Sequence, residues 1–310
     1  MNFSTLNHNM NTQTPVATIS TEVLHEVDRQ SMESSSRTVT EMPMDSSHSN
    51  DAHPLMKIER ILQAASRPEA HASRTVVVLP TFNAAKTLEK TVHQFPNDLV
   101  DEIILVDDGS TDQTVRIARG LGLRIYRHPK SRGYAPTSKC VTCALERGGD
   151  YIVMLNPNSG FDGRLVSSMI DLMKCNVSDV VIGSRIRTRK EAQQCGIPLH
   201  KYAGNRMLTS MHNVLLRQKM SDCFSSFRAY RRTVLKKIPF LRNSDDYVFD
   251  SQMLAQASCF GYRIAEIPVE GCCSDRSFSE DFKYGVGSLN VLASYCAHKV
   301  GIRKKLMFQS

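Results

Sequence analysis

The sequence predicts an α/β fold, a mostly parallel sheet with helices on both faces, behind a disordered N-terminal tail. Three observations lead there. Short apolar runs are closed by Pro, Asp, Asn or Gly, stretches of helical period separate them, and chemically capable side chains gather just after the runs. In such sheets the loops at the carboxyl ends of the strands converge on the ligand.

Residues 1–72 hold 5 Lys and Arg against 9 Asp and Glu, a balance of −4, and residues 1–53 are rich in Ser, Thr, Asn, Met and His. Such a segment cannot bury enough apolar surface to offset its ordering entropy, so it reads as disordered, with one weak amphipathic helix over 55–65. The first strand is Thr75-Val-Val-Val-Leu79, stopped by Pro80, and a helical period covers 84–92. A second strand over 102–106 ends at Asp107-Asp108-Gly109. The next helix starts near Ser110 or Thr111, either of which is a good cap. Strands over 123–126, 151–155 and 180–182 complete the pattern, with a helix over 134–147 between the first two. A last helix over 284–300 presents Val286, Leu289, Leu292, Ala293 and Cys296 as an apolar stripe and ends in Arg303-Lys304-Lys305. The chain therefore divides into a tail (1–72), an α/β domain (73–283) and a C-terminal helix with a basic end (284–310).

The net charge is +8, and residues 73–310 alone carry +12, which points to an anionic partner bearing phosphate. Nucleic acid is not that partner: no nucleic-acid motif is present, aromatic residues are only 7%, and the arginine runs read as a solvated face. Nine cysteines, an odd number at irregular spacing, read as reduced thiols of a cytoplasmic protein. Cys140 and Cys143 form a lone CxxC that reads as the buried face of a helix. No run approaches the ~18–20 apolar residues of a membrane span, so membrane contact is expected to be peripheral, at the cytoplasmic face. The C-terminal helix with its basic end has two readings, a dipole-matched helix end or a rest on an anionic membrane.

Chemistry concentrates in two loops. Pro80-Thr81-Phe82-Asn83 follows the first strand, and Asp107-Asp108-Gly109-Ser110-Thr111-Asp112 follows the second. Two acids at a strand end, ahead of a helix start, suit the N–H groups of a base and the hydroxyls of a ribose. The same pair also suits a simple turn and helix cap.

Further segments follow in order: His128-Pro-Lys-Ser-Arg-Gly133, Asn156-Pro-Asn158, Gly183-Ser-Arg185, Ile197-Pro198, Gly204-Asn-Arg206, Asp222-Cys-Phe-Ser-Ser-Phe-Arg228-Ala-Tyr230, Asp246-Tyr-Val-Phe-Asp250 and Gly261-Tyr-Arg-Ile-Ala-Glu-Ile-Pro268-Val269. This succession resembles the family 2 glycosyltransferases of GT-A fold, and among them the dolichyl- and polyprenyl-phosphate mannose and glucose synthases. The resemblance implies an inverting transfer of a sugar from a nucleotide-sugar donor to a lipid-phosphate acceptor. It places Pro80, Thr81, Asn83, Asp107, Asp108 and Arg185 on the nucleotide side. Arg228 is implied to contact an anionic phosphate through its guanidinium fork, Arg206 to lie near the phosphates or the acceptor, and Asp222 and Asp250 to be acceptor-side or structural carboxylates.

The same resemblance implies Mg²⁺ or Mn²⁺ held by an Asp-x-Asp motif after the fourth strand, with a Gln two residues on. Here those ligand positions are Asn156 and Asn158, the Gln position is Gly160, and Asp162 is the one acid left nearby. Neutral amide oxygens are weaker partners for these hard cations. Ala84 stands where an acid commonly follows the first motif, and Ser226 where a Gly precedes Phe-Arg. Lys130, Arg132, Arg185 and Arg228 are the cations that could take over part of the metal's role. The alternative reading is a degenerate, non-catalytic module that binds a nucleotide or a partner.

Overall fold

The computed structural model describes residues 73–128, 137–185, 197–244, 248–270 and 278–309, with positions 190, 193 and 246 between them; side chains are described outside 278–282. The expected tail, its helix over 55–65, and Lys130 and Arg132 lie outside the described residues.

Seven strands form one sheet within the described residues: β1 (Thr75–Thr81), β2 (Glu102–Asp107), β3 (Arg124–Arg127), β4 (Tyr151–Met154), β5 (Val180–Ser184), β6 (Arg228–Arg231) and β7 (Ile264–Pro268). Their order across the sheet is β3-β2-β1-β4-β6-β5-β7. All pairs are parallel except those of β6, which runs antiparallel to both β4 and β5. The single reversed strand has a consequence for the site. It brings the start of β6, Arg228, beside the end of β4, Met154, so that the loop ahead of β6 joins the carboxyl-end loops.

The five expected strands are present; four owe their place to a buried apolar run, and β3, an edge strand with no buried residue, to its pairing with β2. Val76–Leu79 and Ile152–Val153 are fully buried because both sheet faces are covered. Pro80 lies beyond the last residue of β1 paired with β4, where a missing N–H costs little. Helices α1 (Leu88–His93), α2 (Thr114–Gly120), α3 (Thr137–Glu146), α4 (Val166–Lys174), α5 (Leu199–Leu216), α6 (Arg232–Lys237), α7 (Phe249–Cys259) and α8 (Phe278–Lys299) complete the layers. Cys140 and Cys143 are both fully buried on α3, as a helix face requires, and neither is in a disulfide.

Two expectations are corrected. Helix α2 starts at Thr114, not near Ser110 or Thr111, because Ser110 and Thr111 bond back to the first loop and Asp112 accepts from the Thr114 amide instead. The apolar stripe expected on α8 is borne out at Leu289, Leu292 and Cys296, which pack on the core, but not at its other two positions. Val286 and Ala293 are exposed, whereas Tyr284, Ser288, Val291, Leu292 and Tyr295 are buried against α5 and α7. Gly287 permits that approach, since a Cβ there would meet Val248 at 2.3 Å. Among the described residues, no helix is long and apolar enough to cross a membrane.

At the amino-terminal ends of the strands, two acids are each held by more than one arginine. Glu102 accepts from Arg74 at 2.7 Å, Arg124 at 2.7 Å and Arg147 at 3.0 Å. Asp179 is gripped by Arg263 at 2.9 Å, with Arg231 at 3.8 Å.

Candidate active site

The loops after β1 and β2 are joined by side-chain bonds to backbone amides. Asn83 donates its N–H to Ser110 Oγ at 2.9 Å, Ala84 to Thr114 Oγ1 at 2.8 Å and Ala85 to Asp112 Oδ2 at 3.1 Å. In return Asn83 Oδ1 accepts the Thr111 amide at 2.9 Å. Asn83 has φ 48°, a left-handed conformation that Asn tolerates better than most residues. Burial pushes the Asp112 carboxyl up, but the donors from Thr114 and Ala85 outweigh it and hold the group below its ordinary range. Thr81 is buried at the end of β1, while Asn83 is exposed at the rim.

Asp107 and Asp108 are both fully buried. Asp107 Oδ1 accepts the Ser110 amide at 3.0 Å, so the turn reading of this pair is realised. Its Oδ2 lies 3.3 Å from Arg127 Nε but is buried without a hydrogen bond from the protein. The Asp108 amide donates to the Thr81 carbonyl at 2.9 Å, locking the two strand ends together. A buried carboxylate oxygen with capacity left over is costly.

After β4, both asparagines shape the loop. Asn156 Oδ1 caps a short 3₁₀ turn (Pro157–Ser159) by accepting the Asn158 amide at 2.9 Å. Asn158 donates from Nδ2 to the Phe82 carbonyl at 2.9 Å and accepts from Thr87 Oγ1 at 2.9 Å. Asp162 caps the next turn and pairs with Arg164 at 2.6 Å, and that guanidinium holds its carboxyl below the ordinary range. The donor set expected for Mg²⁺ or Mn²⁺ is thus two engaged amides and one neutralised acid. Among the described residues no three His, Cys, Asp or Glu side chains converge to hold a metal ion. These residues do not fit a divalent cation.

The acceptor-side expectations meet at the loop before β6. Asp222 is fully buried, its Oδ2 is 3.2 Å from Arg185 Nε, and its Oδ1 accepts the Phe224 amide at 3.0 Å and Asn205 Nδ2 at 3.4 Å. Arg206 donates to the Ser221 carbonyl at 2.9 Å. Glu266 of β7 accepts both the Ser221 and Asp222 amides, at 2.8 and 3.1 Å. Sequence reasoning missed Glu266 as a clamp. Its signal was a lone carboxylate within the apolar run Ile264-Ala-Glu-Ile267.

Arg228 corrects an expectation. It is 1% exposed, and its guanidinium donates to the carbonyls of Ser225 at 2.7 Å, Cys223 at 2.8 Å and Asp250 at 2.8 Å. Burial works against its charge, yet Asp250, Tyr230 and Tyr284 hold its pKa above the ordinary value. An arginine so enclosed ties the loop to the start of α7 and does not present a fork to a phosphate. Asp250, in the first turn of α7, shares that junction. Cys223 beside it is pushed up to about 12 by burial and by Asp222, so this thiol stays protonated and inert. The structure brings Thr81, Asn83, Asp107 and Asp108 together with Asn158 at one sheet edge, and Arg185 with Asp222, and Arg228 with Asp250, as two further groups.

A mixed seven-stranded sheet whose carboxyl-end loops carry paired buried acids and a reversed strand defines a GT-A glycosyltransferase fold. The chain belongs to the glycosyl transferase family 2, whose model matches residues 76–239, just over half of its length. It is 24% identical over 229 residues to the UDP-N-acetylglucosamine–dolichyl-phosphate N-acetylglucosaminyltransferase of Methanococcus voltae, covering 68% of this chain and 90% of that protein. It is 28% identical to Glycosyltransferase AglD of Haloferax volcanii, covering 66% of this chain but only 34% of the relative. Among solved structures, glucosyl-3-phosphoglycerate synthase of Mycobacterium tuberculosis, in complex with Mn²⁺, UDP and phosphoglyceric acid, superposes with a TM-score of 0.56 at 18% identity, covering 77% of this chain and 82% of that one. That likeness is one of fold.

Proposed function

We propose that this chain transfers a sugar, with inversion, from a nucleotide-sugar donor to a polyprenyl phosphate. The observation that carries the donor side is Asp107, a fully buried carboxylate at the end of β2 with one oxygen lacking a hydrogen bond. A base N–H or a ribose hydroxyl would take the place beside Asp107 Oδ2 that the exposed Arg127 now fills at 3.3 Å, with Asp108, Thr81 and Asn83 framing the nucleotide. The acceptor side is supported by the relative named for dolichyl phosphate.

In this mechanism an oxygen of the lipid phosphate attacks the anomeric carbon. The new carbon–oxygen bond forms as the bond to the donor diphosphate breaks, and the nucleoside diphosphate leaves with the electron pair. A phosphate monoester is already an anion near neutral pH and needs no general base. Asp222 orients Arg185, Glu266 fixes the loop between them, and Arg228 holds that loop against α7. No step is routed through a metal, because the donors present do not fit one.

The test is transfer of radiolabelled N-acetylglucosamine from its UDP donor, and of mannose from its GDP donor, to polyprenyl phosphate, with and without Mn²⁺. Metal-independent lipid-linked product is expected; no transfer from either donor sinks the reading. The second reading, a module that binds a nucleotide or partner without turnover, draws on Asn156 and Asn158. It expects nucleotide binding with no transfer, and Mn²⁺ affinity gained by Asn156→Asp with Asn158→Asp.

A further inference from the structure

We propose that the outer face of α5 is a docking surface for an anionic membrane. The exposed residues Leu199, Ala203, Met207, Met211 and Val214 follow one another at steps of four, four, four and three. At about 100° per residue they fall within roughly a third of the helix circumference, along a helix about 27 Å long. Their exposures are large: Leu199 58%, Met207 60%, Met211 36% and Val214 76%. Apolar residues scattered singly over a surface are ordinary, but a full-length stripe on one helix is not. Two polar residues of α5, His200 and Ser210, are exposed beside the stripe, and others face inward. Thr209 and His212 are buried, and His212 bridges the Leu208 carbonyl to Ser288 of α8.

Charge names the occupant. The whole chain has 31 acidic residues in 310, yet none lies between Ile197 and Ser221, a stretch that contains Lys201, the exposed Arg217 and Lys219, and Arg206, which turns inward. An apolar stripe on a basic helix with no acid matches a bilayer carrying anionic lipid. A second copy of this net-positive chain would set like charges against each other.

Position links this surface to the site. On the inward side of the same helix, Asn205 bonds Asp222 and Arg206 bonds the Ser221 carbonyl. A membrane on the stripe would lie about one helix diameter, ~10 Å, from the loop assigned to the acceptor. That link rests on the proposed lipid-phosphate acceptor; the docking itself does not. The C-terminal segment also exposes Val300, Ile302 and Leu306 beside Arg303, Lys304 and Lys305. Those residues share no helical face, and the buried face of α8 is taken up by the core.

The experiment is co-sedimentation of the full chain with phosphatidylcholine vesicles, with and without phosphatidylserine, without donor or acceptor. Wild-type protein is expected to bind only the anionic vesicles. Met207→Asp with Met211→Asp is expected to lower partitioning at least about tenfold, from the lost burial of two methionines. Arg217→Glu with Lys219→Glu is expected to weaken it several-fold, leaving UDP and GDP binding and the circular dichroism spectrum unchanged. Wild type that ignores anionic vesicles overturns the proposal. So do methionine variants that bind as wild type, a loss produced only by Ile302→Asp with Leu306→Asp, or a wild-type dimer that the methionine variants dissociate. Vesicle binding by a chain that transfers no sugar would uphold this surface while sinking the proposed activity.

Discussion

Strand β2 begins and ends with a carboxylate, and its two ends are built to opposite rules. Glu102 at the start is gripped by three arginines, Arg74, Arg124 and Arg147. Burial pushes its carboxyl up, but those partners prevail and hold it below the ordinary range. Asp107 at the other end is more deeply buried, has one amide on Oδ1, and keeps Oδ2 without a hydrogen bond. At the base of the sheet the acids take arginines of the protein itself as partners. At the opposite ends of the strands the loops hold their shape through side chain-to-backbone bonds, and Asp107 Oδ2 has Arg127 Nε beside it at 3.3 Å.

The largest expected effect tests whether Arg228 belongs to the structural side of this contrast. Arg228→Met should cost about 3–5 kcal/mol of stability, because Asp250 and three buried carbonyls lose their partner. A variant of near wild-type stability that has lost only transfer would return Arg228 to phosphate binding. Glu102→Gln should cost less, about 1–2 kcal/mol in chemical denaturation, since the guanidinium heads are partly in water. Nucleotide affinity should not change with it.

The pH dependence sharpens the same point. Arg263 beside Asp179 holds that carboxyl low, as the arginines do for Glu102. Folded-state values below the unfolded ones give stability that is full above the unfolded values. It is lost as pH falls through the lowered folded values. The wild-type advantage over Glu102→Gln should therefore be complete at neutral pH and fade below about pH 4. The smallest effect is expected for Asn158→Ala, about 1 kcal/mol, from the bonds that pin the β4 loop to Phe82 and Thr87.

Much of this contrast was legible in the sequence, for physical reasons that also explain what was not. Strands β1, β2, β4 and β5 announce themselves because strands covered on both faces need apolar runs, whereas β3 shows only Leu123, Ile125 and Tyr126. The site edge follows, since Asp107-Asp108 and Asn156-Pro-Asn158 directly succeed such runs. Strand β6 was illegible: Arg-Ala-Tyr-Arg has no apolar run, and its first arginine is buried only because tertiary carbonyls receive it. Helix α5 was missed because its pattern is mixed, with Thr209 and His212 inside beside Leu216, and Met207 and Met211 outside. The start of α2 was misplaced because Ser110 and Thr111, good caps in isolation, are claimed by Asn83 across 27 and 28 residues of sequence. Long-range partners of this kind leave no local trace.

The central claim is that the open end of β2 receives a nucleotide. Calorimetric titration of UDP and GDP into wild type and Asp107→Asn, each with and without Mn²⁺, tests it most directly. One nucleotide should bind wild type without requiring metal, and Asp107→Asn should weaken it about tenfold, the loss of one hydrogen bond to a charged acceptor, with little change in unfolding temperature. Failure of both nucleotides to bind, or equal affinity in wild type and variant, would contradict the claim.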